Sequence, residues 1–110
     1  MKSRQRRDER KILQLCRQVE RRLSLVFAGE IEDPALDGLV VQSVTAVAGA
    51  GVLKVDVALP DDRDETLVMR RLGAASSLLR GEVAAAIHRK RTPRLVFSLT
   101  SSIGCDPGEY

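Results

Sequence analysis

Residues 38–59 read GLVVQSVTAVAGAGVLKVDVAL, two β-rich runs around a glycine-containing turn. In the second run, 52–59, Leu53, Val55, Val57 and Leu59 alternate with Lys54 and Asp56, which is the two-residue period of a strand with one buried face. The first run, 38–47, is rich in Val and Thr, whose branched side chains suit extended backbone. AGAG at 48–51 joins the two as a hairpin, and Pro60, which has no N–H to offer a ladder, stops the second strand.

Downstream, DRDE at 62–65 has the form of a capping box, with Asp62 as N-cap and Glu65 three residues on. Val68, Leu72, Ala75 and Leu79, then Val83 and Ile87, continue at helical spacing. The segment GAASSLLRG (73–81) weakens that helix. Ser76 and Ser77 compete for backbone hydrogen bonds, and Gly81 costs about 1 kcal/mol relative to Ala. The pattern predicts a kink or a break into two helices within 75–81. Thr92, preceding Pro93, must be extended, so the helix ends near 90. RLVFSL (94–99) then forms a final strand with Leu95, Phe97 and Leu99 on one side.

Upstream, from about residue 5 to 28, Ile12, Leu15, Cys16, Val19, Leu23 and Val26 form one apolar stripe of a helix whose outer faces are basic. Gly29 is its C-cap, and Pro34 forces Asp33 out of helical geometry. The order helix–strand–strand–helix–kink–helix–strand gives an α+β fold, a three-stranded sheet covered by helices on one face. Residues 1–103 are expected to form a single domain and 104–110 a short tail.

The chain has 110 residues, 44% of them hydrophobic, enough to close a modest core. Its net charge of +3 is unevenly spread. Residues 2–22 hold nine Lys or Arg against three acids, and residues 70–94 hold seven against Glu82 alone. Acids gather instead in 30–37 and 61–65. Cys16 lies on the apolar stripe and is expected to be buried; Cys105 lies far from it, and one His with no ligand spacing argues against a metal site. No apolar run approaches the roughly 20 residues of a membrane span, and a cytoplasmic protein is expected. The acids at 61–65 lack the glycine and spacing of a calcium loop. No phosphate-binding glycine loop, nucleophile elbow or zinc motif is present, and His88 sits among positive neighbours with no carboxylate near it in sequence. A non-enzyme is expected.

Two basic clusters with the acids displaced elsewhere point to a polyanionic partner held by phosphate contacts and shape. The three aromatics are Phe27, Phe97 and Tyr110, and Phe97 alternates with apolar strand residues. A base-stacking platform of the RNA-recognition-motif kind is therefore disfavoured.

The element order matches a type II KH domain, but the chain has no G-x-x-G loop, the backbone clamp usual in KH proteins. DPAL (33–36), ASSLLR (75–80) and KRTPRLVF (90–97), behind a basic first helix, resemble the ribosome-binding factor A family over about residues 4–103. Ser77 stands where that family usually has its kink Gly, Lys90 replaces an Arg, Arg94 stands where Glu is common, and Thr100 replaces a frequent Asp. The resemblance implies a KH-like factor that binds the immature 30S ribosomal subunit through 16S rRNA. It would assist late maturation and 5′-end processing, with links to cold adaptation. No cofactor is expected, and the chain is expected to act as a monomer.

The residues expected to contact RNA are Arg4, Arg6, Arg7, Arg10 and Lys11 from the first helix, with Arg80, Arg89, Lys90, Arg91 and Arg94 from the bent helix and its exit. Arg17, Arg21 and Arg22 are second choices. Ala75, Ser76 and Ser77 are expected to set the kink that positions Arg80. A KH-like regulator outside the ribosome, or a protein–protein adaptor using the two acidic segments, also fits the sequence.

Overall fold

A computed structural model describes the backbone of residues 2–47, 51–87 and 91–101, and side chains from residue 9 to residue 100 within those segments. The hairpin forms as the alternation requires. Strand β1 (Val40–Val47) pairs antiparallel with β2 (Val52–Leu59), with Val44 opposite Val55. A bulge at Gln42 shifts the register between Val41 and Ser43, and this lets Val41 and Val44 both turn inward although they are three residues apart. Strand β3 (Arg94–Ser101) adds to the other edge of β2, parallel to it, with Phe97 opposite Val55.

Helix α1 (Lys2–Leu25) packs on β1, and its stripe buries Leu15, Cys16, Val19 and Leu23. It ends earlier than its apolar spacing suggests, in one wide turn, Val26–Glu30, where the Ile31 N–H donates to the Val26 carbonyl five residues back at 3.0 Å. Gly29 makes that ending: its φ of +152° is a conformation that side chains exclude. Burial pushes the Cys16 thiol pKa up, so this cysteine is an inert packing group as expected.

Asp33 organises the loop that follows. Its Oδ1 accepts the Ala35 N–H at 3.0 Å, its carbonyl accepts the N–H groups of Leu36 and Asp37, and its Oδ2 meets Arg71 Nε at 3.2 Å. Arg63 sews this loop to the one after β2. One guanidinium nitrogen donates to the carbonyls of Ala35 (3.0 Å) and Asp37 (2.7 Å) while the others hold the Asp61 carboxylate. This corrects the expected cap. Residues 61–63 are committed to a turn around Arg63, so the N-cap of α2 (Glu65–Ala74) is Asp64, not Asp62, and Asp64 accepts the N–H groups of Thr66 and Leu67.

The Arg63 pair has a measurable pH signature. Its hydrogen bonds hold the Asp61 carboxyl at about 2, below the usual carboxylate range. A depressed carboxylate stabilises the fold above its unfolded pKa and loses that contribution as pH falls toward the folded one. From pH 5 to pH 2 the urea midpoint should therefore fall more for the wild type than for Arg63→Ala. Parallel slopes would show that the pair contributes nothing.

The expected break falls at Ala75, at φ −92° and ψ 4°, and α3 (Ser76–Ile87) begins at the next residue. The hydrogen-bond ladder bridges it. The Ala75 N–H donates to the Arg71 carbonyl and its carbonyl accepts the Leu79 N–H, both at 2.9 Å. Ala75 sits at negative φ in the bridge region, which L-residues reach without glycine, and Ser77 is the second residue of a right-handed helix. The kink therefore has no need of a glycine. Leu79, Val83 and Ile87 bury α3, and Leu95, Phe97 and Leu99 of β3 pack on the same apolar cluster, as their alternation predicts. The opposite sheet face presents Thr45, Lys54, Asp56, Val96 and Ser98. Gly81 lies mid-helix, with nothing within 4 Å of where a Cβ would stand. Gly81→Ala should therefore raise stability by roughly 0.5–1 kcal/mol in urea titration.

Candidate nucleic-acid interface

The break does more than bend the chain. It starts a new helix with Ser76 and Ser77, and one turn on it presents Arg80 beside the strand that follows. Arg80 Nη2 donates to the Thr92 carbonyl at 3.0 Å, tying α3 to the approach to β3. On one side of this tie lies an open concavity of about 580 Å³ lined by Ser77, Arg80, Gly81, Ala84, Arg91 and Thr92. On the other lies one of about 260 Å³ lined by Ser76, Ser77, Arg80, Arg94 and Leu95. The two share Ser77 and Arg80, so three guanidinium groups and the hydroxyl side chains of Ser76, Ser77 and Thr92 border one continuous surface. Gly81 leaves part of its wall at backbone level.

The electrostatics of this surface follow from where the acids go. Among the described residues, ion pairs engage Arg22, Lys54, Arg63 and Arg71, and none engages Arg80, Arg91 or Arg94. Glu82, the single acid of residues 70–94, is held by Arg22 of α1, which also pairs with Glu30 at 2.8 Å. The hydrogen bond to Glu82 raises the pKa of Arg22 still further. Arg22 is thus a structural cation rather than a free contact, while Arg17 and Arg21 are exposed and make no ion pair among the described residues.

The register of the sheet separates the charges. Arg94 pairs with Val52 at one end of β2, whereas the acidic 61–65 segment follows Leu59 at the other. Seven residue steps at about 3.3 Å put these ends roughly 23 Å apart.

Of the residues expected at the interface, Arg80, Arg91 and Arg94 come together, with Ala75 at the break and Ser76 and Ser77 lining the concavity. Arg10 and Lys11 are exposed on α1. The N-terminal half of α1 neighbours the same surface, because Ile12 and Leu15 line a groove together with Arg91, Thr92 and Pro93. Lys11, one turn ahead of Leu15, lies on that stripe. Arg4, Arg6 and Arg7 belong to α1, but their side chains lie outside the described residues, as do His88, Arg89 and Lys90. The sequence marks Ser76 and Ser77 only as helix-weakening residues. Their place in the wall follows from the break falling at Ala75, which puts both hydroxyls at the start of a helix that leans over β3. The described residues contain no group of three or more His, Cys, Asp or Glu able to hold a metal ion, and no helix long and apolar enough to cross a membrane.

The element order, the break in place of a G-x-x-G loop and the arginine-lined surface beside it define a KH-like module of the second type. No family model matches the chain. It is 31% identical over 90 residues to ribosome-binding factor A of Legionella pneumophila strain Lens, covering 81% of this chain and 72% of that protein. It is 28% identical over 102 residues to ribosome-binding factor A of Lachnoclostridium phytofermentans, covering 89% and 74%. The crystal structure of ribosome-binding factor A from Thermus thermophilus superposes with a TM-score of 0.70 at 31% identity, over 80% of this chain and 93% of that one. A homology model of the Thermus thermophilus factor, fitted into a cryo-EM map of its complex with the 30S subunit, gives 0.61 at 32% identity, over 74% and 87%. The chain belongs to the ribosome-binding factor A family.

Proposed function

We propose that this protein is an assembly factor of the small ribosomal subunit. It binds the immature 30S particle through 16S rRNA and assists the late maturation and 5′-end processing of that RNA. It works in the cytoplasm, as a monomer and without a cofactor, by binding rather than by chemistry. The observation that carries this reading is the meeting of Arg80, Arg91 and Arg94 along two adjoining concavities with no carboxylate partner among the described residues. Guanidinium groups so placed hold backbone phosphates in register without reading sequence. Family membership, and the fitting of a relative's homology model into a map of its 30S complex, support the small subunit as the particle that carries this RNA. Arg10 and Lys11, exposed on the neighbouring half of α1, extend the same footprint, and the sequence adds Arg89 and Lys90 to its charge.

Sedimentation tests the proposal directly. Tagged protein should migrate with 30S particles in a sucrose gradient, more with immature than with mature ones, and nuclease should release it. Cells lacking it should accumulate 16S precursor with an unprocessed 5′ end. Migration with free protein, or complexes that survive nuclease, would overturn the assignment and favour an adaptor that works through its acidic segments.

A further inference from the structure

Beside the arginine-lined surface lies a groove of different chemistry. It encloses about 460 Å³ between the N-terminal half of α1, the ends of β1 and β2, and the approach to β3. Ile12, Leu15, Val47, Leu53 and Pro93 line it together with Arg91. Leu15 and Leu53 are core residues, 6% and 2% exposed, whereas Ile12 and Val47 remain 42% and 45% exposed. Ile12 and Val47 thus leave an apolar wall open to solvent directly beside Arg91.

What covers it follows from its neighbour. Arg91 and Thr92 line both this groove and the concavity that holds Arg80, and no carboxylate lines either among the described residues. A strand whose phosphates run along Arg80 and Arg91 therefore passes the mouth of the groove, and the apolar faces such a strand can turn toward the protein are those of its bases. Among the described residues no aromatic side chain lines the groove: Phe27 is wholly buried and Phe97 packs on the core. Aliphatic walls, a proline ring and the flat face of a guanidinium offer a base the same kind of contact.

We propose that this groove receives an unstacked base of the bound RNA. It adds to the phosphate grip a component that depends on the base and not on salt. This rests on the RNA-binding reading above and extends it from charge to contact with a nucleobase.

The test uses the full-length protein and two labelled ten-nucleotide RNAs of equal charge, oligouridine and the same backbone without bases, each titrated at several salt concentrations. Wild type should bind the abasic strand about tenfold more weakly, the scale of one base contact, with the same salt slope for both. Ile12→Gln should lose the same factor on oligouridine and nothing on the abasic strand, and Val47→Gln should do likewise if Ile12→Gln fails to fold. Equal wild-type affinity for the two strands, with the salt slope intact, overturns the base site and leaves the phosphate-binding reading standing. Equal losses on both strands in the variants also overturn it. Salt-independent binding, or none, removes both readings together.

Discussion

Reversing Arg80, Arg91 and Arg94 to glutamate should raise the Kd for immature small subunits by at least about a hundredfold and leave the urea midpoint nearly unchanged. Each of the three is exposed, and among the described residues none pairs with an acid, while Arg80 donates a hydrogen bond to the Thr92 carbonyl. Surface changes of this kind usually move stability by less than about 0.5 kcal/mol. Binding is another matter, because each cation that neutralises a phosphate releases a counterion, and reversal replaces attraction with repulsion. With about six phosphates engaged, wild-type affinity should fall roughly a thousandfold between 50 and 200 mM salt. The corresponding triple alanine variant should lower the log–log slope by about two to three, one contact for each arginine. A flat salt dependence would sink the mechanism, and unfolding of the glutamate variant would show that these arginines hold the fold rather than the RNA.

Phe27→Ala should be the most destabilising single substitution in α1 and its terminal turn. Phe27 is fully buried in the turn that ends the helix, and its carbonyl accepts the Gly38 N–H at 2.7 Å, so the same residue fixes the core and the return of the loop. Truncating a buried Phe costs about 3–5 kcal/mol, against a total of about 5–15 kcal/mol for a small domain. Chemical denaturation should show that loss, while Phe27→Leu should keep much of the stability. A cost below about 1 kcal/mol for the alanine variant would mean that the turn region repacks freely.

The element types were legible from periodicity and the break from residue type, because each rests on local chemistry: the alternation of 52–59, the stripe through Leu15 and Leu23, the weak stretch around Ser76. What local chemistry does not carry is pairing. Nothing in RLVFSL says that it lies parallel to 52–59 rather than beside 40–47, and the parallel choice is what sends the acidic and basic segments to opposite ends. The displaced cap has the same origin. Asp62 and Glu65 satisfy the capping pattern, but Arg63 spends residues 61–63 on carbonyls 26–29 positions away, a contact with no local signature. The surface around Arg80 was half legible. Its cations could be counted in sequence, but the wall of serines and the removal of Glu82 by Arg22 depend on how α1 and α3 meet.

That end-to-end arrangement of charge gives the molecule a permanent dipole along its strands. In the field of a particle as negative as ribosomal RNA, such a molecule should turn before it touches and arrive with the Arg94 end leading. Fewer encounters are then wasted on the wrong face, and the gain lies in the association rate, which added salt should erode well before it hastens departure.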